Sequence, residues 1–515
     1  MNNLKRKEMI ILLFCVLIGF TLRFYTFDQK SLWMDEIYTF NDSRYGFKEQ
    51  LAFYKENPTF LHPPLFFILT HLFYPFEKPE RDLRIIPLIF GTLSIPMIYL
   101  LARQFTPVIA IPCTIALTFM AYHISLSQDG RSYSLFMFLG ITAYYFFMKH
   151  LSSTKKKYLF GSALFFAISI YTSYSTIPFI IFSQFLWFYR PVEEAKKTTL
   201  SSFFTLNSLI LLFCLPWTLF LLLNYKGQAV MDSFHTEGTG SFLNILYGVF
   251  HDWVPHMPLM VVSIILLILF LALANNRKNA IILLAVFIFP ILGLYLYCKF
   301  FNVTHFITSR YFINFLPLFL VTLFLSLEDI EKKFENLRKY LRFKVLFLIL
   351  FVSSSLIILP FYFKSEKQDF RALATYLKNH LRPGDNIFDG HGVYIPGILH
   401  YLGAYPKARQ YIVSFSKIKE NDIKYSISFY WRHNIHTIYH SKTCCLEYVK
   451  QGGRLWIVIP KNATKTIEEE NPFVFKGYFD GSYLNFTRFP FDASMYLFLW
   501  DPNSPDEKGI DMPIE

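Results

Sequence analysis

The sequence predicts a polytopic α-helical membrane protein with about 11 transmembrane helices, juxtamembrane helices in its first outer loop, and a C-terminal extracytoplasmic α/β domain. Three observations carry that prediction. The 515 residues are 53% hydrophobic and only 17% charged, with a mean hydropathy of +0.34, whereas an ordinary soluble domain carries about 25% charged residues. Apolar runs long enough to cross the hydrocarbon core, about 20 residues each, recur between residues 8 and 362. After Phe361 the composition turns mixed polar, and no later run is long enough to span.

The apolar segments fall at residues 8–26, 84–102, 108–125, 134–148, 158–173, 176–189, 201–223, 257–274, 280–298, 311–327 and 345–362. The first follows Lys5, Arg6 and Lys7 and lacks a small-residue cleavage site, so it reads as a retained anchor. Residues 63–76 are apolar but too short to span, which suits an interfacial or re-entrant segment. Before them, Phe47, Leu51, Phe53 and Tyr54 alternate with Lys48, Glu49, Lys55 and Glu56 as in a helix lying on the membrane.

Charge supports this topology. With the N-terminus cytoplasmic, the inside loops hold 19 basic against seven acidic residues, and the outer loops and helix ends before residue 363 hold 12 against 13. That is the positive-inside pattern, and a spanning 63–76 segment would reverse it by turning the Lys149–Lys157 loop outward. The formal net charge of +13 is therefore a topology signal and gives no support to a nucleic-acid partner.

The chain divides into a membrane domain, 1–362, with its outer loop at 27–83, and an extracytoplasmic domain, 363–515, of a size able to hold its own core. In the latter, 368–381 has helical periodicity, 386–388 reads as a strand, 394–402 as a helix, 455–459 as a buried strand, and 473–500 as β-rich. The six cysteines imply no disulfide ladder and show no zinc spacing. Asn41, Asn302, Asn462 and Asn485 open glycosylation-type triplets, a pattern frequent by chance. Asp389, His391 and Tyr394 form a polar group that a turn before a helix explains equally well.

The informative residues are ionisable groups at the outer membrane face, where charge is costly. Asp35 and Glu36 follow the first span and are flanked by Trp33, Ile37 and Tyr38. They read equally as an acidic helix cap and as a general base or metal-binding carboxylates in a semi-dry site. His62 opens the Pro-Pro segment and Arg84 begins the next span, at the depth of a lipid phosphate. Gln128, Asp129, Arg131 and Tyr133 lie between spans three and four. There Asp129 and Arg131 form either a structural pair or, through the arginine, a phosphate fork. Arg310 and Tyr311 stand at the outer entry of span ten, where an arginine snorkels or binds an anion.

In order, LWMDE near residue 33, HPPLFF at 62, LRIIPLIFG at 83, SQDGRSYSL at 127 and SRYFINFLP at 309 resemble the pattern of bacterial GT-C-type glycosyltransferases. That superfamily includes relatives of protein O-mannosyltransferases and of the aminoarabinose transferase of lipid A, and the resemblance covers roughly residues 8–415. It implies a hexosyl- or pentosyltransferase of the cell (inner) membrane, acting in protein or lipid glycosylation of the cell envelope. The donor would be a polyprenyl-phosphate sugar, the acceptor a hydroxyl of a lipid, glycan or protein on the extracytoplasmic face, and the usual outcome inversion. By the same resemblance Asp35 is the base and Glu36 orients base or acceptor, or shares a divalent metal with Asp35. His62, Arg84, Arg131 and Arg310 then contact the donor phosphate, and Gln128, Asp129, Tyr133 and Tyr311 support them. Relatives often read Gln-Glu-Ala-Arg-x-Tyr where this chain reads Gln-Asp-Gly-Arg-Ser-Tyr, which leaves the role of Asp129 open.

Glycosyl transfer needs a base for the nucleophile and cations for the leaving phosphate, and these residue types supply both. The competing readings are a glycolipid transporter or flippase and a surface-polysaccharide ligase. A transporter favours mid-membrane ionisable residues and an internal repeat, neither of which the sequence displays.

Overall fold

The computed structural model describes residues 2–56, 62–189, 200–225, 241–254, 256–300, 307–338, 342–382, 385–389, 394–403, 426–428, 454–461, 464, 473–481 and 494–504. Asn302, Asn462, Asn485, His391, Cys444 and Cys445 lie outside the described residues.

The described residues between 2 and 364 form a bundle of helices, and each of the eleven apolar segments falls on a helix. Among the described residues, five helices are long and apolar enough to cross a membrane: Pro79–Phe105, Leu200–Asn224, Arg277–Phe300, Ser309–Lys333 and Phe343–Lys364. Two bent pairs bring the number to seven, so a multi-pass membrane protein stands, with fewer qualifying crossings than the expected eleven. The helices Asn2–Phe24, Tyr133–Ser153, Lys156–Ile170 and Thr176–Phe188 account for the difference, being shorter or richer in charged and polar residues. The Phe242–Trp253 helix has no counterpart in the sequence reading. Its apolar residues recur at helical spacing around Asn244 and Asp252, a pattern that a search for 20-residue apolar runs passes over.

One bend shapes the site. Pro107–Phe119 and Ala121–Ser127 meet at 59°, because Met120 is extended. A break of this kind leaves carbonyls without intrahelical partners. Arg23, fully buried at the end of the first helix, donates to Leu117 O at 3.0 Å and Thr118 O at 3.2 Å. The bent segment delivers residues 128–131 to the same end of the bundle as the loop that follows the first helix.

That loop holds the short helices Met34–Asp42, Phe47–Glu56 and Leu65–His71. The second is the expected amphipathic helix, and the third, seven residues long, is too short to cross. Beyond the bundle lie the helices Phe370–His380 and Ile395–Leu402 and a five-stranded sheet. Its strands are β1 Asn386–Asp389, β2 Ser426–Ser428, β3 Leu455–Pro460, β4 Val474–Phe479 and β5 Met495–Trp500, in the order β2-β1-β3-β5-β4. β1 runs parallel to β2 and β3, and β5 antiparallel to β3 and β4. Phe370, Leu373, Tyr394 and Ile398 share one apolar core with Leu32, Ile37, Phe76 and Leu83 of the loop. The loop is thus held between the bundle and the sheet region. At the opposite end of the bundle Lys344 is clasped by Glu328 and Glu331.

Candidate functional site

The helix Met34–Asp42 presents two faces. Met34, Ile37 and Phe40, spaced three apart, meet the sheet region, where the Phe40 ring lies 4.7 Å from that of His400. Asp35, Thr39 and Asp42, at i, i+4 and i+7, line the face toward Arg131.

Glu36 turns inward and is fully buried. Arg84, the residue preceding the Ile85–Phe105 helix, meets it two-pronged, Nε–Oε1 2.7 Å and Nη2–Oε2 2.6 Å. The other N–H groups of Arg84 donate to the carbonyls of Phe27, Lys30 and Ser31 at 2.9–3.0 Å. Glu36 also accepts the Gly130 N–H at 2.6 Å and the Trp33 N–H at 3.3 Å. Burial alone would raise the Glu36 carboxyl, but Arg84, with lesser help from Lys367 and Gly130, holds it below the ordinary carboxylate range. All five donors of Arg84 go to protein acceptors and 1% of the residue is exposed. In this arrangement it offers nothing to a phosphate.

Asp35 points the other way. Its carboxylate lies 3.6 Å from Arg310 Nη1 and 3.9 Å from Arg131 Nε, and the three side chains are 22–24% exposed. These are ion pairs longer than hydrogen bonds, between side chains that keep contact with solvent. Arg131 is steered by donating to Asp35 O at 3.1 Å and Thr39 Oγ1 at 3.2 Å. The Arg310 guanidinium lies over the rings of Trp33 and Tyr133, at 5.4 and 5.5 Å, with Tyr311 next to it in the chain. His62 is half-buried near both charges. Its imidazole is pushed down to about 4, by burial first and then by Arg131, with Asp35 opposing. The loop also carries Asp42, whose buried carboxyl is pushed up to about 7 by desolvation, with Arg131 and Asn41 opposing.

The structure therefore brings together Asp35, His62, Arg131, Arg310 and Tyr133, and separates from them Glu36 and Arg84. Among the described residues no three His, Cys, Asp or Glu side chains converge to hold a metal ion. Glu36, committed to Arg84 and Gly130, is not placed to share a cation with Asp35.

Comparison with known proteins bears on this geometry. The family model of dolichyl-phosphate-mannose-protein mannosyltransferases matches residues 61–220, a stretch that includes His62, Arg84 and Arg131 but neither Asp35 nor Arg310. No curated protein matches the sequence. Among solved structures, ArnT from Cupriavidus metallidurans in the apo state is similar at 10% identity, over 96% of this chain and 98% of that one, with a TM-score of 0.51. The oligosaccharyltransferase of Archaeoglobus fulgidus, tethered through a disulfide bond to an acceptor peptide containing the NVT sequon, is similar at 13% identity, over 96% of this chain and 75% of that one, with a TM-score of 0.54. The chain has the GT-C fold.

Within this GT-C bundle Gln128 and Asp129 bond to other parts of the fold. Gln128 donates to the carbonyls of Arg23 at 2.9 Å and Tyr25 at 2.6 Å, pinning the loop to the end of the first helix. Asp129 does not pair with the Arg131 side chain. It accepts from Trp33 Nε1 at 2.9 Å and faces Lys367 Nζ at 3.2 Å. Arg310 also has a neighbour that sequence reasoning passed over: Ser309 hydrogen-bonds the buried Asp252, and Tyr122 OH lies 2.8 Å from the same hydroxyl. Asp252 sits on the helix missed from sequence, and Asp42 was legible only as the third member of an i, i+4, i+7 face.

Proposed function

We propose that this protein is a membrane glycosyltransferase that moves a sugar from a polyprenyl-phosphate donor to an acceptor hydroxyl on the extracytoplasmic face, with inversion. The observation that carries the reading is the partly exposed Asp35 between Arg131 and Arg310, with His62 close by, on a GT-C scaffold. Asp35 takes the proton of the acceptor hydroxyl as its oxygen bonds to the anomeric carbon. The bond from that carbon to the phosphate oxygen breaks, and the charge left on the phosphate falls to Arg131 and Arg310, whose forked donors suit it. A single displacement of this kind inverts the anomeric centre. The partial family match and the fold support this class of donor, and the basic balance of one set of loops supports the orientation. Glu36 and Arg84 hold the loop in shape without meeting the substrate.

The test is mass spectrometry of surface glycans and glycoproteins in cells lacking the gene and complemented with either form. Wild type restores the missing sugar. Asp35→Asn, expressed and inserted at the same level, leaves transfer reduced by roughly 10²–10⁴-fold, the usual worth of a general base. Full restoration by Asp35→Asn would remove it from the mechanism.

A further inference from the structure

The sheet region touches the site through three consecutive residues. Just past the Phe343–Lys364 helix, Glu366 accepts the Ser31 N–H and Gln368 accepts the Met34 N–H, each at 2.9 Å, so they grip the loop on either side of Trp33. Between them Lys367 reaches inward. It is 6% exposed and lies 3.2 Å from Asp129 Oδ1, itself 2% exposed, and 5.4 Å from the centre of the Trp33 ring. The same indole underlies Arg310 at 5.4 Å and donates its N–H to Asp129 at 2.9 Å. The segment is anchored from behind, with Glu366 N–H donating to the Asp480 carboxylate at 3.1 Å and Asp369 N–H to the Asp480 carbonyl at 2.8 Å, just past β4.

Two features point beyond simple packing. A buried lysine is tolerated only when paired, and the acid that pairs it also fixes the edge of Trp33. A cation near a tryptophan face adds attraction that depends on ring placement, and this indole serves two cations, one of which contacts Asp35. Moving Lys367 therefore moves the platform under Arg310. We infer that Lys367 is a positioning residue of the transfer site, acting through Asp129 and Trp33 on the placement of Arg310 beside Asp35. The inference rests on the glycosyltransferase reading, and it gives the sheet region a role in holding the phosphate-facing cations in register.

The experiment uses the full-length protein in lipid nanodiscs with undecaprenyl phosphate as the probe, reading both affinity and melting temperature. Lys367→Met weakens affinity about tenfold and lowers the melting temperature, because Asp129 is left buried without its cation. Lys367→Arg restores both to near the parent. The deciding variant combines Lys367→Met with Asp129→Asn, which removes the uncompensated charge while keeping an acceptor for Trp33. If Lys367 positions Arg310, the double variant regains the parent melting temperature and keeps the tenfold loss of affinity. Affinity that recovers together with stability, or a Lys367→Met protein that binds as the parent does, overturns the inference. A parent protein that binds no undecaprenyl phosphate overturns the functional reading first, and the inference with it.

Discussion

Asp35 and Glu36 are consecutive residues in opposite surroundings. Glu36 sits in a dry knot where Arg84, Gly130 and the Trp33 amide meet its oxygens at 2.6–3.3 Å. Asp35, about a fifth exposed, holds two arginines at 3.6 and 3.9 Å. Taking two charges out of water is repaid only by complete hydrogen bonding, which the knot has, whereas the side chains of the Asp35 cluster stay 22–24% exposed to water. Satisfied charge holds a shape, whereas loosely held, water-accessible charge is available to a ligand. The two arrangements share one helix turn, so the knot serves as the foundation of the site.

This contrast breaks most directly at Arg84. Arg84→Leu leaves Glu36 buried without its cation and costs about 3–5 kcal/mol of stability, read as a large fall in melting temperature in detergent. Adding Glu36→Leu removes the orphaned charge and recovers much of that loss. If Arg84→Leu instead folds normally and loses only phosphate-lipid affinity, the division between foundation and site fails. Arg131 is the sharper probe of the other half. Arg131→Ala removes charge-assisted hydrogen bonds worth about 1.5–3 kcal/mol, so undecaprenyl phosphate binds roughly ten- to a hundredfold more weakly. Its pair with Asp35 is partly exposed, so stability changes by less than about 1 kcal/mol.

The division between these regions also marks how far the sequence could be read. The bundle was legible because residence in an apolar phase is written in composition, and every expected apolar segment lies on a helix. Phe242–Trp253 escaped because its apolar stripe is short and interrupted, and β2, only three residues long, carries no period. In the site, residue types at the bundle end pointed to Asp35, His62, Arg131 and Arg310, since charge at that depth needs a reason. What the sequence withheld was the partner of each charge. Nothing in LRIIPLIFG tells that the Arg84 guanidinium is consumed by Glu36 and by the carbonyls of Phe27, Lys30 and Ser31. Lys367 was equally hidden, because it reaches Asp129 across nearly half of the chain and belongs to no apolar or motif pattern.

The smallest expected effect is at His62, and it sharpens the account of where the cationic charge resides. Burial and then Arg131 hold its imidazole at about 4, well below the ordinary value near 6.5, so at pH 7 the ring is neutral and the positive charge facing a phosphate belongs to the arginines. The folded-state value lies below the unfolded one, so the unfolded chain takes up the proton first as the pH falls. This group leaves stability untouched above about pH 6.5 and erodes it progressively down to about pH 4. His62→Gln, which keeps a hydrogen-bonding side chain without a titrating ring, flattens the melting-temperature profile across that window. At pH 7 it changes undecaprenyl phosphate affinity by less than about threefold, the loss expected when a neutral contact is exchanged for another. A tenfold loss at pH 7 would mean that the bound phosphate draws a proton onto His62. The ring would then join Arg131 and Arg310 as a third cation, and the comparison between satisfied and available charge would have to include a group that becomes charged only when the ligand arrives.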